Sequence, residues 1–336
     1  MLQNCSSLFL LLVVFLSLTS GIHAQSTSRV IEYYGYKDCI LLENKSTRVV
    51  LCPAAGGRVL EYSRDGKNAL YLPPGDEGWT YAPGKRGGGM NAGRFDIGPE
   101  LTIPAHPSLW KGKWTGKTTG PFSAELTSPN DQPTGVRLVR DFRLDPKTSR
   151  LECRQKIENV GDKTVEYCHW SRTFALGGGI CVIPISDTSR FPNHYVMYEE
   201  GALINARPKD DRIRIRDGFL EILGAPRKPK LGFDSRESWL AYAMPNDQMF
   251  VKSFEVDPNR VYNEVAGLTL SVWYPDGPMC ELEPIGPMER LQPGESASFT
   301  ETWLLLPQNF PGRGEDLDLL KVQAAVHQSL DLSNEK

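Results

Sequence analysis

The sequence has little net charge, no closely spaced cysteines of metal type, no phosphate-loop spacing and very little helical periodicity. Each absence narrows what the chain can do. Its 38 Lys and Arg against 41 Asp and Glu leave a formal charge of −3, so no basic field exists to draw in nucleic acid or an anionic membrane. Cysteines never occur as C-x-x-C, and their spacings fit no zinc template. The glycines between Trp79 and Ile103 do not follow the GxxxxGK[ST] pattern and lack a strand-to-helix context, which argues against a phosphate loop. The apolar run Leu8–Leu18 covers 11 residues, short of the roughly 20 that a membrane-spanning helix requires. Only Glu315–Leu330 places apolar residues, among them Leu317, Leu320 and Val322, at helical spacing.

What is present is the vocabulary of strands and turns: 31 Gly, 25 Pro, 12 Tyr and 7 Trp. Such a chain predicts an all-β architecture. Arg29–Cys52 reads as three short strands, Gly56-Gly57 opens another, and Asp65-Gly66 turns a hairpin. Trp79–Ile103 reads as a long irregular loop, of the kind that serves as a lid or binding loop. No linker or repeat divides the chain. The expected organisation is an export signal over 1–24, one β domain over 25–310, and a C-terminal helix and tail over 311–336 lying across the outside of a sheet. Ile22-His23-Ala24 before Gln25 resembles a small-x-small cleavage site, although no Lys or Arg precedes the apolar run. The mature chain is therefore expected to be secreted or periplasmic. Its six cysteines permit disulfides there. Cys39 and Cys52 could face each other across one hairpin, and the rest read equally well as buried thiols.

Candidate chemistry gathers around Lys163–Gly179, KTVEYCHWSRTFALGGG. In a strand, His169 and Ser171 share one face while Trp170 and Arg172 share the other. The plain reading of His169 is a core histidine. Upstream lie Asn91, Arg94, His106, Trp110 and Trp114, with indoles that could stack on a sugar or fill a core. Downstream, Glu281 and Glu283 flank Leu282, so both carboxylates lie on one strand face. Two acids on a solvent face is the ordinary reading of that pattern.

Taken in order, these pieces resemble the galactose mutarotase-like superfamily, which includes aldose 1-epimerases. Gly56–Val59 is similar to the family's opening segment, Asn91 and Arg94 to its substrate-binding loop, and His106 and His169 to its two histidines. Glu283 in CELEPIGP resembles its carboxylate, and LQPGESASFTETWLLLP its last strand pair. The likeness runs from about Val30 to Pro307. The chain departs from the pattern at Pro107, at Pro284-Ile285 and at Trp170-Ser171-Arg172, and so resembles a distant branch.

The resemblance implies a single-domain β-supersandwich of two large, mostly antiparallel sheets, with a sugar cleft on one face. It implies anomer interconversion by ring opening, with Glu283 as base and His169 as acid, whose ordinary pKa values of about 4.3 and about 6.5 suit that work. His106 and Arg94 would then hold hydroxyls and stabilise developing charge on oxygen, with Asn91 beside them. Trp114 is a stacking candidate, and Lys230 and Asp234 fall near a further substrate-binding acid. Arg172 would meet an acidic sugar or pair with a neighbouring carboxylate, and Glu281 is the alternative carboxylate. No metal or cofactor is implied. The expected partner is a mono- or oligosaccharide, handled by a monomer or weak dimer. Two further readings stay open: a carbohydrate-binding module without turnover, and a glycan lyase or hydrolase on the same scaffold.

Overall fold

The computed structural model describes residues 28–89, 91–200 and 203–330; the expected export signal lies outside them. Two antiparallel sheets, one of thirteen strands and one of ten, enclose a common core. The larger sheet runs through Arg58–Arg64, Gly93–Gly98, Val165–Leu176, Met279–Pro284, Leu270–Trp273 and Lys230–Phe233 at its centre. In the smaller sheet Trp239–Met244, Gln248–Phe254, Ser296–Pro307 and Leu151–Asn159 are central. Rings from the two layers meet between them: Phe95 stacks on Trp303 at 5.5 Å, Tyr62 lies 5.6 Å from Phe250, and His169 stacks on Phe299 at 5.8 Å. Alternation explains this, because one face of each strand is apolar and must be covered. The fold is the expected all-β sandwich.

Three local expectations change. Inside the segment read as an irregular loop, Gly93–Gly98 is a fully buried strand of the larger sheet. Its glycines are steric, because a Cβ on Gly93 would stand 2.8 Å from Val59 Cβ and 2.9 Å from the Trp303 ring. The C-terminal helix begins at Leu319 instead of Glu315. Asp318 stops it, accepting from the backbone N–H of Lys321 at 3.1 Å as an N-cap. Leu319, Val322, Val326 and Leu330 then cover Phe219 and Trp239 on the outside of the ten-stranded sheet. Finally, all six described cysteines are buried free thiols. Cys39 and Cys52 do stand on adjacent strands, beside the Ile40–Leu51 pair. The hairpin turn at Asp65-Gly66 is as expected, with both residues at positive φ.

Candidate functional site

Strand Val165–Leu176 decides which side chains can meet a ligand. Trp170, Arg172 and Phe174 point to the outer face of the thirteen-stranded sheet, and His169, Ser171 and Thr173 point into the sandwich. Its neighbour Gly93–Gly98 sets Arg94 opposite Arg172 and Asp96 opposite Trp170. On the other side, Met279–Pro284 turns Leu282 into the core and aims Glu281 and Glu283 at the same outer face as Arg172. Segment 99–111, with the short helix Pro107–Trp110, borders this face. Together they enclose a cleft of about 650 Å³ lined by Arg94, Asp96, His106, Trp110, Lys111 and Arg172, among others. That volume lies within the usual range of small-molecule sites, roughly 300–1,000 Å³.

Charge in the cleft is organised in two groups. Asp96 is buried, and burial alone would raise its carboxyl. The hydrogen bond and charge of His106, followed by Arg94 and Arg172, outweigh that and hold it at about 2. His106 Nε2 lies 2.7 Å from Asp96 Oδ1 and Nδ1 lies 2.6 Å from the Pro104 carbonyl. Burial disfavours the imidazolium, but the Asp96 hydrogen bond and charge raise the His106 pKa. Both ring nitrogens then donate to acceptors of the protein itself. His106 is a charged pin on Asp96.

The second group centres on Arg172. Its Nε donates to Glu281 Oε1 at 3.1 Å and its Nη1 to Glu100 Oε1 at 3.2 Å, while its guanidinium lies 4.8 Å from the Trp170 ring centroid. Behind it, Glu283 is 0% exposed and accepts from Trp170 Nε1 and Ser271 Oγ, each at 2.8 Å, and from Lys230 Nζ. Burial would raise Glu283, but the charge of Lys230 and then of Arg172 lowers it. The strain of two adjacent carboxyls falls on Glu281, which burial and then the Glu283 charge push up to about 7.

The expected site residues thus divide. Arg94, His106 and Arg172 line the cleft. Glu283 and Lys230 lie behind it as a closed ion pair. Asn91 is tied down outside the cleft, accepting from Arg58 at 2.6 Å and donating to Asp76 at 3.0 Å. His169, expected as the acid, is on the wrong face: it is 1% exposed, and among the described residues neither ring nitrogen has a hydrogen-bond partner. Burial depresses its pKa to about 3, so near neutrality it is a neutral imidazole and not the imidazolium acid. Trp114 is a core residue, donating to the Leu109 carbonyl at 2.9 Å with Arg140 on its ring. Asp234 lines a separate cleft of about 290 Å³ and binds Ser189 and Arg190. Asp96 and Lys111 were not singled out from sequence. Asp96 stands two residues from Arg94 in GRFD, so strand alternation carried a signal once that segment was read as a strand.

No family model matches the chain, and no curated protein matches its sequence. Solved structures do match its fold. A galactose mutarotase-like protein from Clostridium acetobutylicum aligns with TM-score 0.57 at 12% identity, over 83% of this chain and 98% of the other. One from Lactobacillus casei ATCC 334 aligns with TM-score 0.55 at 10% identity, over 80% of this chain and 100% of the other. An Escherichia coli K12 protein provisionally assigned as an aldose 1-epimerase gives 0.56 at 14% identity, over 80% of this chain and 99% of the other. The fold is galactose mutarotase-like.

Proposed function

We propose that this is an exported carbohydrate-binding protein whose cleft holds a sugar, and that the cleft as built binds more readily than it catalyses. The observation that carries this reading is the absence, among the described residues, of a free acid–base pair on the cleft. The imidazole of His106 is committed at both nitrogens, His169 faces the core, and Glu283 is enclosed by Lys230, Trp170 and Ser271. Ring opening needs one group to take the anomeric hydroxyl proton and another to protonate the ring oxygen, each within hydrogen-bond reach. Hydroxyl-binding groups, by contrast, are abundant. Arginines, a carboxylate and indole edges beside an open volume are what sugar recognition uses.

One observation favours a second reading, anomer interconversion. Glu281, at about 7, is poised for proton transfer near neutrality, and it is paired with the cleft residue Arg172. An anionic ligand that drew Arg172 aside would uncover it. Both readings are tested by following α/β exchange of several aldoses by NMR alongside ligand-observed binding, for the natural chain and Glu281→Gln. Binding without acceleration is expected. Acceleration that vanishes in Glu281→Gln while binding persists would install the second reading instead, and new reducing ends or unsaturated products from polysaccharides would overturn both.

A further inference from the structure

Around Trp110, cationic side chains gather on the cleft wall. The Arg94 guanidinium lies 4.3 Å from the Trp110 ring centroid and the Lys111 ammonium 4.2 Å from the same centroid. Behind that indole, buried Arg58 donates to the Trp110 carbonyl at 3.0 Å. The cleft's carboxylates already have partners: Asp96 pairs with His106 and Arg94, and Glu100 and Glu281 with Arg172. Lys111 has no carboxylate within ion-pair reach among the described residues; its contacts are the rings of Trp110 and Trp79. Cations gathered on one indole in a partly desolvated cleft repel each other. Burial, and then the charges of Arg94 and Arg58, lower the Lys111 pKa. An arrangement that costs free energy when empty is relieved by a ligand of opposite charge.

We propose, resting on the reading of this cleft as a sugar site, that its ligand is a sugar bearing an anionic group and that Lys111 selects for that group. The anion sits between Lys111 and Arg172, with hydroxyls towards Asp96 and Arg94. Lys111 supplies the charge, and Arg172 a guanidinium donor beyond the Nε and Nη1 already given to Glu281 and Glu100. The shared chemistry is a compact anion on a pyranose, either a carboxylate or a sulfate ester.

The test compares matched neutral and acidic ligands, glucose with glucuronate and with glucose 6-sulfate, by ligand-observed NMR titration on the natural chain, Lys111→Gln and Lys111→Arg. The expected result is at least about tenfold tighter binding of an acidic member than of glucose, the size of one well-formed charged contact. That preference should weaken as ionic strength rises to roughly 0.3 M. It should collapse in Lys111→Gln and survive in Lys111→Arg. A preference for the sulfate over the carboxylate, or the reverse, identifies the anion. Equal binding of glucose and both acidic sugars, or a preference that survives Lys111→Gln, overturns the inference while leaving the sugar reading intact. No binding by any of the three overturns the sugar reading and this inference with it.

Discussion

His169 shows how one side chain's direction outweighs its place in a motif. Its neighbours in sequence are cleft residues, and the order of segments around it matches a family of sugar enzymes, so it is a natural choice for the acid. Strand alternation alone, however, puts it opposite Trp170 and Arg172, and those two face the cleft. Faces were legible from the spacing; which face would carry the cleft was not, because either is compatible with the pattern. The buried imidazole makes a measurable statement. Its pKa falls from 6.5 to about 3 through burial, so the folded state resists a proton that the unfolded chain accepts. Stability present above pH 6.5 is therefore lost as the pH falls towards 3. Replacing the ring by an apolar one of similar shape removes this loss. Between pH 7.5 and pH 5, His169→Phe should lose about 2 kcal/mol less stability than the natural chain, as read from urea unfolding midpoints at the two values. Equal losses would mean that the imidazole is solvated, and sugar binding should be the same in both proteins at pH 7.5.

At the scale of elements, Gly93–Gly98 is what the sequence concealed. Five glycines from Gly87 to Gly98 and the charges of Arg94 and Asp96 give it the composition of a loop. It is nevertheless a central strand, hydrogen-bonded to Val165–Leu176 and holding the cleft residues Arg94 and Asp96. Glycine is used because space is taken from two directions: the Trp303 indole of the other sheet and Val59 of the adjacent strand fill the room that any Cβ at Gly93 would need. Close approach of this kind is a tertiary fact with no local signature. Gly93→Ala should consequently cost about 1–3 kcal/mol by overpacking, seen as a lower thermal midpoint. It should also weaken sugar binding, because Arg94 is the next residue on that strand. A neutral substitution would show that Trp303 and Val59 yield easily. The helix was legible, since its period is local. Its start was misplaced by four residues because the cap is set by Asp318, an acid without apolar periodicity.

For the molecule as a whole, the sandwich could be read from strand-like segments and turns, while the polar group joining its two layers could not. Lys252, from the ten-stranded sheet, is 0% exposed. It donates to Ser171 Oγ at 2.6 Å, Thr173 Oγ1 at 3.0 Å and the Leu282 carbonyl at 3.1 Å, all in the other sheet. Its counter-ion Glu301, 3.0 Å away, also accepts from Gln155 at 3.1 Å and Trp303 at 3.0 Å. A strand lysine ordinarily faces water, so its sequence gives no hint of this place. Ser171 and Thr173 lie between the cleft residues Trp170 and Arg172 and beside them, so the clamp also fixes the strand that forms the cleft floor. Removing one partner leaves a buried charge unopposed, whereas neutralising both leaves none. Lys252→Met should therefore lower stability by about 3–5 kcal/mol. Adding Glu301→Gln should recover most of that loss, because the amide oxygen still accepts from Gln155 or Trp303 while the charge is gone. Urea unfolding of the two single variants and the double one measures the coupling directly. If the losses simply add, the pair is not acting as a unit.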